Sequence, residues 1–138
     1  SVAIHLRKGD DYMQSELMGK GLCTVDYYMK AIDYMRKHIN NPHFYVFTDN
    51  PCWVKDNLPE FEYMLVDWNE VSGKRNFRDM QLMSCAKHNI IGNSTYSWWA
   101  AWLNANQDKI VVGPKRFFNP INSFFSTCDI MCEDWISL

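Results

Sequence analysis

The chain has 138 residues, a length that fits one domain with a single hydrophobic core. Hydrophobic residues make up 47% of the chain and charged residues 22%, and 14 basic against 16 acidic side chains give a net charge of −2. Such a balance provides no long-range electrostatic attraction to nucleic acid or to an anionic membrane surface, and no apolar run reaches the ~18 residues of a membrane span. We therefore expect neither a nucleic-acid partner nor a transmembrane segment in this chain.

Short β-rich runs alternate with helix-like runs along the sequence. Five strands are predicted, over residues 2–7, 43–48, 62–67, 89–93 and 109–113. Four helices are predicted between them, over residues 25–39, 51–58, 77–87 and 95–104. Strands separated by helices predict right-handed crossovers, and hence an α/β fold in which a parallel sheet carries helices on both faces.

The helix over residues 25–39 has the clearest pattern. Its apolar residues recur at helical spacing, at Val25, Met29, Ile32, Met35 and Ile39. The threonine before it is a suitable N-cap, and the basic residues near its end suit the helix dipole. We expect this helix to pack its apolar face against the sheet.

The chain has five cysteines, which are scattered and include no CxxC pair: Cys23, Cys52, Cys85, Cys128 and Cys132. An odd number without regular spacing does not make a complete disulfide framework, so the pattern favours a reducing compartment. Cys128 and Cys132 are close enough in sequence to form half of a metal site, but no second pair of ligands follows them. We therefore expect no metal centre.

Polar side chains follow three of the predicted strands at their carboxyl ends: His5, Arg7, Lys8 and Asp10 after the first, Thr48, Asp49 and Asn50 after the second, and Asn93, Ser94 and Thr95 after the fourth. Ligands of open parallel α/β sheets bind outside these ends. His5 and Arg7 are two residues apart and therefore share one face of their strand. The donors of an arginine match phosphate oxygens, and the helix that begins at Thr95 offers backbone N–H groups to an anion. The sequence thus predicts a phosphate-binding crevice at this edge of the sheet.

Each of these residues also has a structural interpretation, which the sequence leaves open. Arg7 could form a salt bridge with Asp10 or with Asp49. His5 could be a hydrogen-bonded histidine of the core. Ser94 could cap a helix together with the threonine that follows it.

The segment "STYSWWAAWL" raises two further questions. Trp98, Trp99 and Trp102 fit core packing better than a platform for a sugar. The triplet "NST" at residues 93–95, which overlaps the start of this segment, has the pattern of an N-glycosylation site. A glycan at the end of a buried strand would block the crevice, so we interpret the triplet as part of a phosphate-binding turn.

Common nucleotide-binding motifs are absent from the sequence. No GxGxxG follows the first strand, which disfavours a dinucleotide-dependent dehydrogenase, and no GxxxxGK[ST] is present, which disfavours a P-loop NTPase. The "GKG" at residues 19–21 matches neither motif, and no DxD suggests a metal-bound nucleotide sugar.

Several stretches of the sequence nevertheless resemble one enzyme family. The HxR[RK]xD motif shared by α-1,2-, α-1,6- and protein O-fucosyltransferases is similar to "HLRKGD" at residues 5–10. A long block of the α-1,2-fucosyltransferases resembles "DMQLMSCAKHNIIGNSTYSWWAAWL" at residues 79–103. Further segments of that family resemble "CTVDYYMKAI" and "FTDN", in the same order, so the resemblance covers essentially the whole chain.

The resemblance implies a GT-B glycosyltransferase built of two Rossmann-like halves, of which residues 1–138 would be the C-terminal, GDP-fucose-binding half. It implies transfer of L-fucose from GDP-fucose to the 2-hydroxyl of a terminal β-galactoside, with inversion and without a metal or another cofactor. The N-terminal half, which this chain lacks, would bind much of the acceptor glycan. The alternative is a GDP-sugar-binding module without catalysis of its own. We expect a location in the bacterial cytoplasm or at the inner membrane, with the Golgi lumen as the alternative.

The resemblance also implies roles for single residues. Arg7 would hold the β-phosphate and stabilise the negative charge that builds up on departing GDP. His5 would lie in the donor site near the nucleotide. Asp79 would accept the N1–H and N2–H of guanine, which are donors on one edge of the base. Asp49 would have a structural role.

The remaining roles concern the phosphate and the acceptor hydroxyl. Ser97, with Ser94 and Thr95, would form the phosphate-binding turn. Asp10 is the candidate for the general base, with Asp11 beside it, although either carboxylate could merely order the loop.

Overall fold

The computed structural model of the chain describes residues 1–16, 22–70, 72–119 and 130–138. In these ranges six strands form one sheet: β1 (Val2–Leu6), β2 (Phe44–Thr48), β3 (Tyr63–Val66), β4 (His88–Ile90), β5 (Val111–Gly113) and β6 (Ile136–Ser137). The helices that accompany them are α1 (Asp10–Met13), α2 (Val25–His38), α3 (Pro51–Asn57), α4 (Phe77–Ser84) and α5 (Thr95–Leu103), with a 3-10 helix at Gly73–Arg75.

The strand order of the sheet is β3-β2-β1-β4-β5-β6, and every neighbouring pair is parallel. The chain winds outward from β1 to β3 in one direction and from β4 to β6 in the other. This is the order of a doubly wound, Rossmann-like sheet, and the predicted fold class is confirmed. The strand order reverses between β1 and β4, and in such sheets the ligand crevice opens at the carboxyl ends on either side of that point.

Helices cover both faces of the central strand, because its residues alternate between two hydrophobic clusters. Ile4 belongs to the cluster that α2 and α3 form with the sheet, where Met35 and Val54 are fully buried. Ala3 belongs to the opposite cluster, which contains Met83 of α4. All five residues of β1 are buried as a result, so the strand is fixed firmly and its carboxyl end is a rigid support for the site.

The five predicted strands and the four predicted helices are all present, within a few residues at their ends. The predicted cap of α2 is confirmed, since the Thr24 side chain accepts a hydrogen bond from the backbone N–H of Tyr27. Three elements were not predicted: α1, β6 and the 3-10 helix. They have four, two and three residues, which is too short for a periodic pattern to show.

Two of the sequence-based expectations concern absent features. Among the described residues, no helix combines the length and the apolar character needed to cross a membrane. The same residues contain no group of three or more His, Cys, Asp or Glu side chains arranged to hold a metal ion. Cys128 of the considered cysteine pair and the "GKG" at residues 19–21 lie outside the described residues. Cys132, the other member of the pair, is described, and its thiol is free.

Candidate functional site

A polar cavity of about 290 Å³ opens at the carboxyl edge of the sheet, at the point where the strand order reverses. It is lined by residues at the carboxyl ends of β1 and β2, by residues that follow β1, β2 and β4, and by the starts of α4 and α5: His5, Arg7, Thr48, Asp49, Asn76, Asp79, Ser94, Thr95 and Tyr96. In open parallel α/β sheets, ligands bind at this position. The structure therefore brings together most of the residues that the sequence singled out.

The guanidinium of Arg7 pairs with two carboxylates. Its Nη1 lies 2.9 Å from Oδ2 of Asp49, and its Nη2 lies 2.8 Å from Oδ2 of Asp11. Asp49 is only 12% exposed and also accepts the backbone N–H groups of Lys8 at 2.7 Å and Gly9 at 2.8 Å. A Cβ on Gly9 would collide with this carboxylate. Asp49 is thus held in place by the backbone and fixes the position of the arginine. The ion pair with Asp11, which is 74% exposed, is weakened by water.

The salt-bridge interpretation of Arg7 is therefore confirmed for Asp49. Asp11, rather than Asp10, is the second partner. Asp10 begins α1, is exposed, and is not among the residues that line the cavity. The structure thus does not bring the candidate general base to the other site residues.

His5 presents an unpaired nitrogen in a buried position. The side chain is 6% exposed, and no described residue offers its Nδ1 a hydrogen-bond partner. Burial is the largest cause that lowers the pKa of His5, to about 4, so the ring is neutral at ordinary pH. A hydrogen-bonded core histidine does not account for this nitrogen, and the residue that carries it lines the cavity.

Asp79 lies in the first turn of α4 and is 7% exposed. It accepts one hydrogen bond, from Nδ2 of Asn69 at 2.6 Å, and burial raises the pKa of the carboxyl above its usual value. The start of α4 is held against α5, because the hydroxyl of Tyr96 accepts the N–H of Met80 at 2.9 Å and donates to the carbonyl of Asn76. A carboxylate has more acceptor capacity than Asn69 uses, so Asp79 can receive further N–H donors from a ligand.

The turn before α5 combines an exposed and a buried part. Ser94 is the N-cap, but its side chain makes no capping hydrogen bond, and it lines the cavity with Thr95. Ser97 is 1% exposed, and its hydroxyl contacts the carbonyls of Gly92 at 3.3 Å and Ser94 at 3.1 Å. Ser97 therefore shapes the turn from behind and does not line the cavity. The first N–H groups of a helix lack intrahelical acceptors, so α5 can present donors to an anion here.

A sequence comparison identifies the family of the chain. The model of the family described as glycosyl transferase family 11 matches residues 1–138. The chain belongs to this family. The predicted resemblance to the α-1,2-fucosyltransferases is thereby confirmed.

Individual relatives in this family are similar over much or all of the chain. An alpha-1,2-colitosyltransferase of Escherichia coli is 37% identical over 141 residues, which cover 100% of the chain and 47% of that protein. The O-antigen biosynthesis glycosyltransferase WbnK of Escherichia coli is 38% identical, over 100% of the chain and 44% of that protein. The galactoside 2-alpha-L-fucosyltransferase SEC1 of Bos taurus is 28% identical, over 74% of the chain and 28% of that protein. The chain spans less than half the length of each of these glycosyltransferases.

A buried network behind the cavity was missed in the sequence. Nζ of Lys8 donates to the carbonyl of Cys23 at 3.0 Å and lies 4.6 Å from the ring centroid of Trp53. The thiol of Cys23 accepts the N–H of Asn93 at 3.2 Å, and the Asn93 carboxamide oxygen contacts the hydroxyl of Tyr12. The network ties the loops after β1 and β4 to the start of α2. The position of Lys8 in the "HLRKGD" motif is the one sequence signal that could have indicated this network.

The prediction of core packing is wrong for two of the three tryptophans of α5. Trp99 is 49% exposed and Trp102 is 54% exposed, and only Trp98 is partly buried. The reason is that Ala100 and Ala101, both fully buried, face the interior in their place. Small residues let the helix approach the sheet closely and turn its largest side chains outward.

Proposed function

We propose that this chain is the donor-binding part of an inverting glycosyltransferase that moves L-fucose from GDP-fucose to the 2-hydroxyl of a terminal β-galactoside. Membership of glycosyl transferase family 11 supports the reaction class. The observation that carries the proposal is the cavity at the switch point, which unites a cation, a helix N-terminus and a buried carboxylate. These three features match the phosphates and the base of a nucleotide.

The diphosphate would be bound between Arg7 and the first turn of α5. A guanidinium offers a planar fork of donors that fits phosphate oxygens, and the helix N-terminus adds backbone N–H groups and its dipole. Negative charge grows on the β-phosphate as the bond to the sugar breaks, so a cation already fixed beside it lowers the barrier. Asp49 fixes Arg7 in this way, through the ion pair at 2.9 Å.

The base would be bound by Asp79. Guanine has two N–H donors on one edge, N1–H and N2–H, and a carboxylate can accept both. In the structure the pKa of Asp79 is raised because burial disfavours the charged form. Two donors from guanine would compensate for that burial, and adenine or uracil does not present the same pair. The arrangement therefore favours GDP over ADP and UDP.

The acceptor and the rest of the enzyme complete the proposal. The relatives are more than twice as long as the part that this chain matches, which supports a GT-B arrangement with an N-terminal, acceptor-binding half. The same fact favours the second candidate, a GDP-sugar-binding module without catalysis of its own. The identity to Escherichia coli proteins supports a location in the bacterial cytoplasm or at the inner membrane, and the mammalian relatives support the Golgi lumen as the alternative.

Calorimetry with GDP and GDP-fucose tests the donor site. We expect both to bind in the presence of EDTA, with GDP-fucose the tighter of the two, because the proposed binding uses Arg7 and helix donors instead of a metal. Absence of binding for both nucleotides would overturn the proposal, and binding that requires added Mn²⁺ or Mg²⁺ would overturn its metal-free part. A transfer assay with radiolabelled GDP-fucose and a β-galactoside then separates the transferase from the binding module.

A further inference from the structure

The hydroxyl of Tyr96, on α5, bridges the first turn of α4. In a regular α-helix the N–H of Met80 would donate to the carbonyl of Asn76, four residues earlier. The hydroxyl accepts a hydrogen bond from that N–H at 2.9 Å and donates one to that carbonyl, so it connects both ends of the turn. Burial is the largest cause that raises the pKa of Tyr96 above its usual value, and the hydroxyl therefore keeps the proton that it donates.

The start of α4 has few other supports. Its N-cap is Asn76, whose side chain makes no capping hydrogen bond to any described residue. Residues 72–78, which lead into the helix and form its first two positions, are all exposed. Since neither a cap nor burial fixes this segment, the position of the first turn depends on the hydroxyl that bridges it.

The phosphate side of the cavity has its own supports. The hydroxyl of Ser97 contacts the carbonyls of Gly92 and Ser94, which shapes the turn before α5. The ion pair with Asp49 fixes Arg7 at the end of β1. These contacts do not involve the bridging hydroxyl, so its loss would leave the phosphate side in place.

We propose that Tyr96 is a positioning residue that sets the location of Asp79 relative to the phosphate-binding turn, and thereby the preference of the site for guanine. This inference rests on the proposed function, in which Asp79 accepts two donors of the base. Asp79 directly precedes Met80, whose N–H the hydroxyl accepts. Thr95, which lines the cavity, directly precedes Tyr96. One hydroxyl thus joins the base side and the phosphate side of the site.

Direct contact between the hydroxyl and the nucleotide is the alternative role, because Tyr96 lines the cavity. A phenolic hydroxyl has one proton to donate, and in this structure the carbonyl of Asn76 receives it. The same oxygen already accepts the N–H of Met80. With both functions of the hydroxyl used by the backbone of α4, positioning is the favoured role.

Tyr96→Phe tests the proposal, since it removes the hydroxyl and keeps the ring, whose centroid lies 5.5 Å from that of His5. Calorimetry would measure the binding of GDP, UDP and inorganic diphosphate to the wild type and to the variant. We expect the affinity for GDP to fall about fivefold or more, because the acceptor of the guanine donors is no longer fixed. The affinities for UDP and diphosphate should change less than about twofold.

A double-mutant cycle with Asp79→Ala shows whether the effect passes through that carboxylate. If it does, adding Tyr96→Phe to Asp79→Ala should weaken GDP by less than about twofold. Tyr27→Phe is the matched control, because the Tyr27 hydroxyl donates to the carbonyl of Ile91 at 2.6 Å and the residue does not line the cavity. This variant is expected to melt at a lower temperature while the ratio of GDP to UDP affinity stays that of the wild type.

The possible results separate this inference from the proposed function. Equal losses for GDP, UDP and diphosphate in Tyr96→Phe would show that the hydroxyl supports the whole site, and additive effects in the cycle would show that it contacts the nucleotide directly. Either result would overturn the inference, as would an unchanged ratio of GDP to UDP affinity, while the proposed function stands. A wild-type chain that binds no GDP would overturn the proposed function and this inference with it.

Discussion

Asp49 holds Arg7 across the carboxyl ends of two neighbouring strands, with Oδ2 of the aspartate 2.9 Å from Nη1 of the arginine. The register of β1 and β2 explains the meeting, because Leu6 pairs with Thr48 and the next residue on each strand follows in step. The same carboxylate accepts two backbone N–H groups of the loop after β1. One side chain thus positions both the cation and the loop that carries it, before a ligand arrives.

Asp49→Asn is expected to destabilise the fold. The asparagine removes the negative charge that pairs with Arg7. Its NH₂ group also replaces one of the two oxygens that accept the N–H groups of Lys8 and Gly9, so at least one part-buried donor loses its partner. We expect a loss of about 1–3 kcal/mol in the free energy of unfolding, measured by urea denaturation. Asp11→Asn is the matched control, since Asp11 pairs with the same arginine from an exposed position and its loss should cost no more than about 0.5 kcal/mol. Equal effects of the two variants would contradict the supporting role of Asp49.

Asp79→Ala is expected to change nucleotide selectivity. Removal of the carboxylate leaves both guanine donors without an acceptor, which weakens GDP by about 1–3 kcal/mol. ADP and UDP do not present that pair of donors, so their affinities should change less. Calorimetry with all three nucleotides measures the difference, and a uniform loss would show that Asp79 is a structural residue of α4.

The pH dependence of stability is expected to report on His5. The unfolded chain binds a proton as the pH falls through about 6.5, whereas the buried ring resists protonation until about pH 4. The unfolded state therefore holds more protons in this window, and acidification from pH 6.5 toward 4 destabilises the fold, by an amount on the order of 3 kcal/mol from this group.

His5→Asn removes the titrating ring and keeps a polar atom in the cavity. We expect the variant to lose less unfolding free energy than the wild type between pH 6.5 and about 4, as measured by urea denaturation across that range. His43→Asn, at an exposed histidine, is the control and should follow the wild type. A His5→Asn profile parallel to that of the wild type would show that His5 is not the origin of the acid sensitivity.

Much of the fold was predictable because periodicity is a local property of the sequence. Apolar runs and helical spacing are enough to predict the sheet, and the rule for ligands of parallel sheets then brings His5, Arg7 and Thr95 to one edge. Asp79 lies within a predicted helix in which no local motif indicates a ligand site, and only the family resemblance predicted its role.

The errors have physical reasons as well. Helix α5 is apolar on all sides, so no polar face indicates that Trp99 and Trp102 face outward while the alanines face inward. The choice between Asp10 and Asp11 as the partner of Arg7 depends on one turn of α1, a helix of four residues that leaves no sequence pattern. Contacts of this kind are decided by tertiary packing.

Arg7→Lys is expected to separate substrate binding from catalysis. Lysine keeps the positive charge but loses the planar fork, whose separate nitrogens can face Asp49 and a phosphate at the same time in a fixed geometry. If Arg7 only anchors GDP-fucose in the ground state, KM for the donor should rise while kcat stays nearly unchanged. If it stabilises the charge that builds on the departing β-phosphate, kcat should fall as well, by about 10²–10³ for the loss of one preorganised donor.

We expect the fall in kcat, because the departing diphosphate is where negative charge grows and Arg7 is held rigidly beside the proposed site. Transfer of fucose to a β-galactoside at saturating GDP-fucose would be measured for the wild type and for Arg7→Lys, in a form of the protein that is active. Thermal melting shows whether the variant is folded. Lys30→Arg, in an exposed ion pair on α2, is the control for replacing one type of basic side chain with the other. A folded Arg7→Lys variant with unchanged kcat would leave Arg7 as a binding residue without a catalytic role.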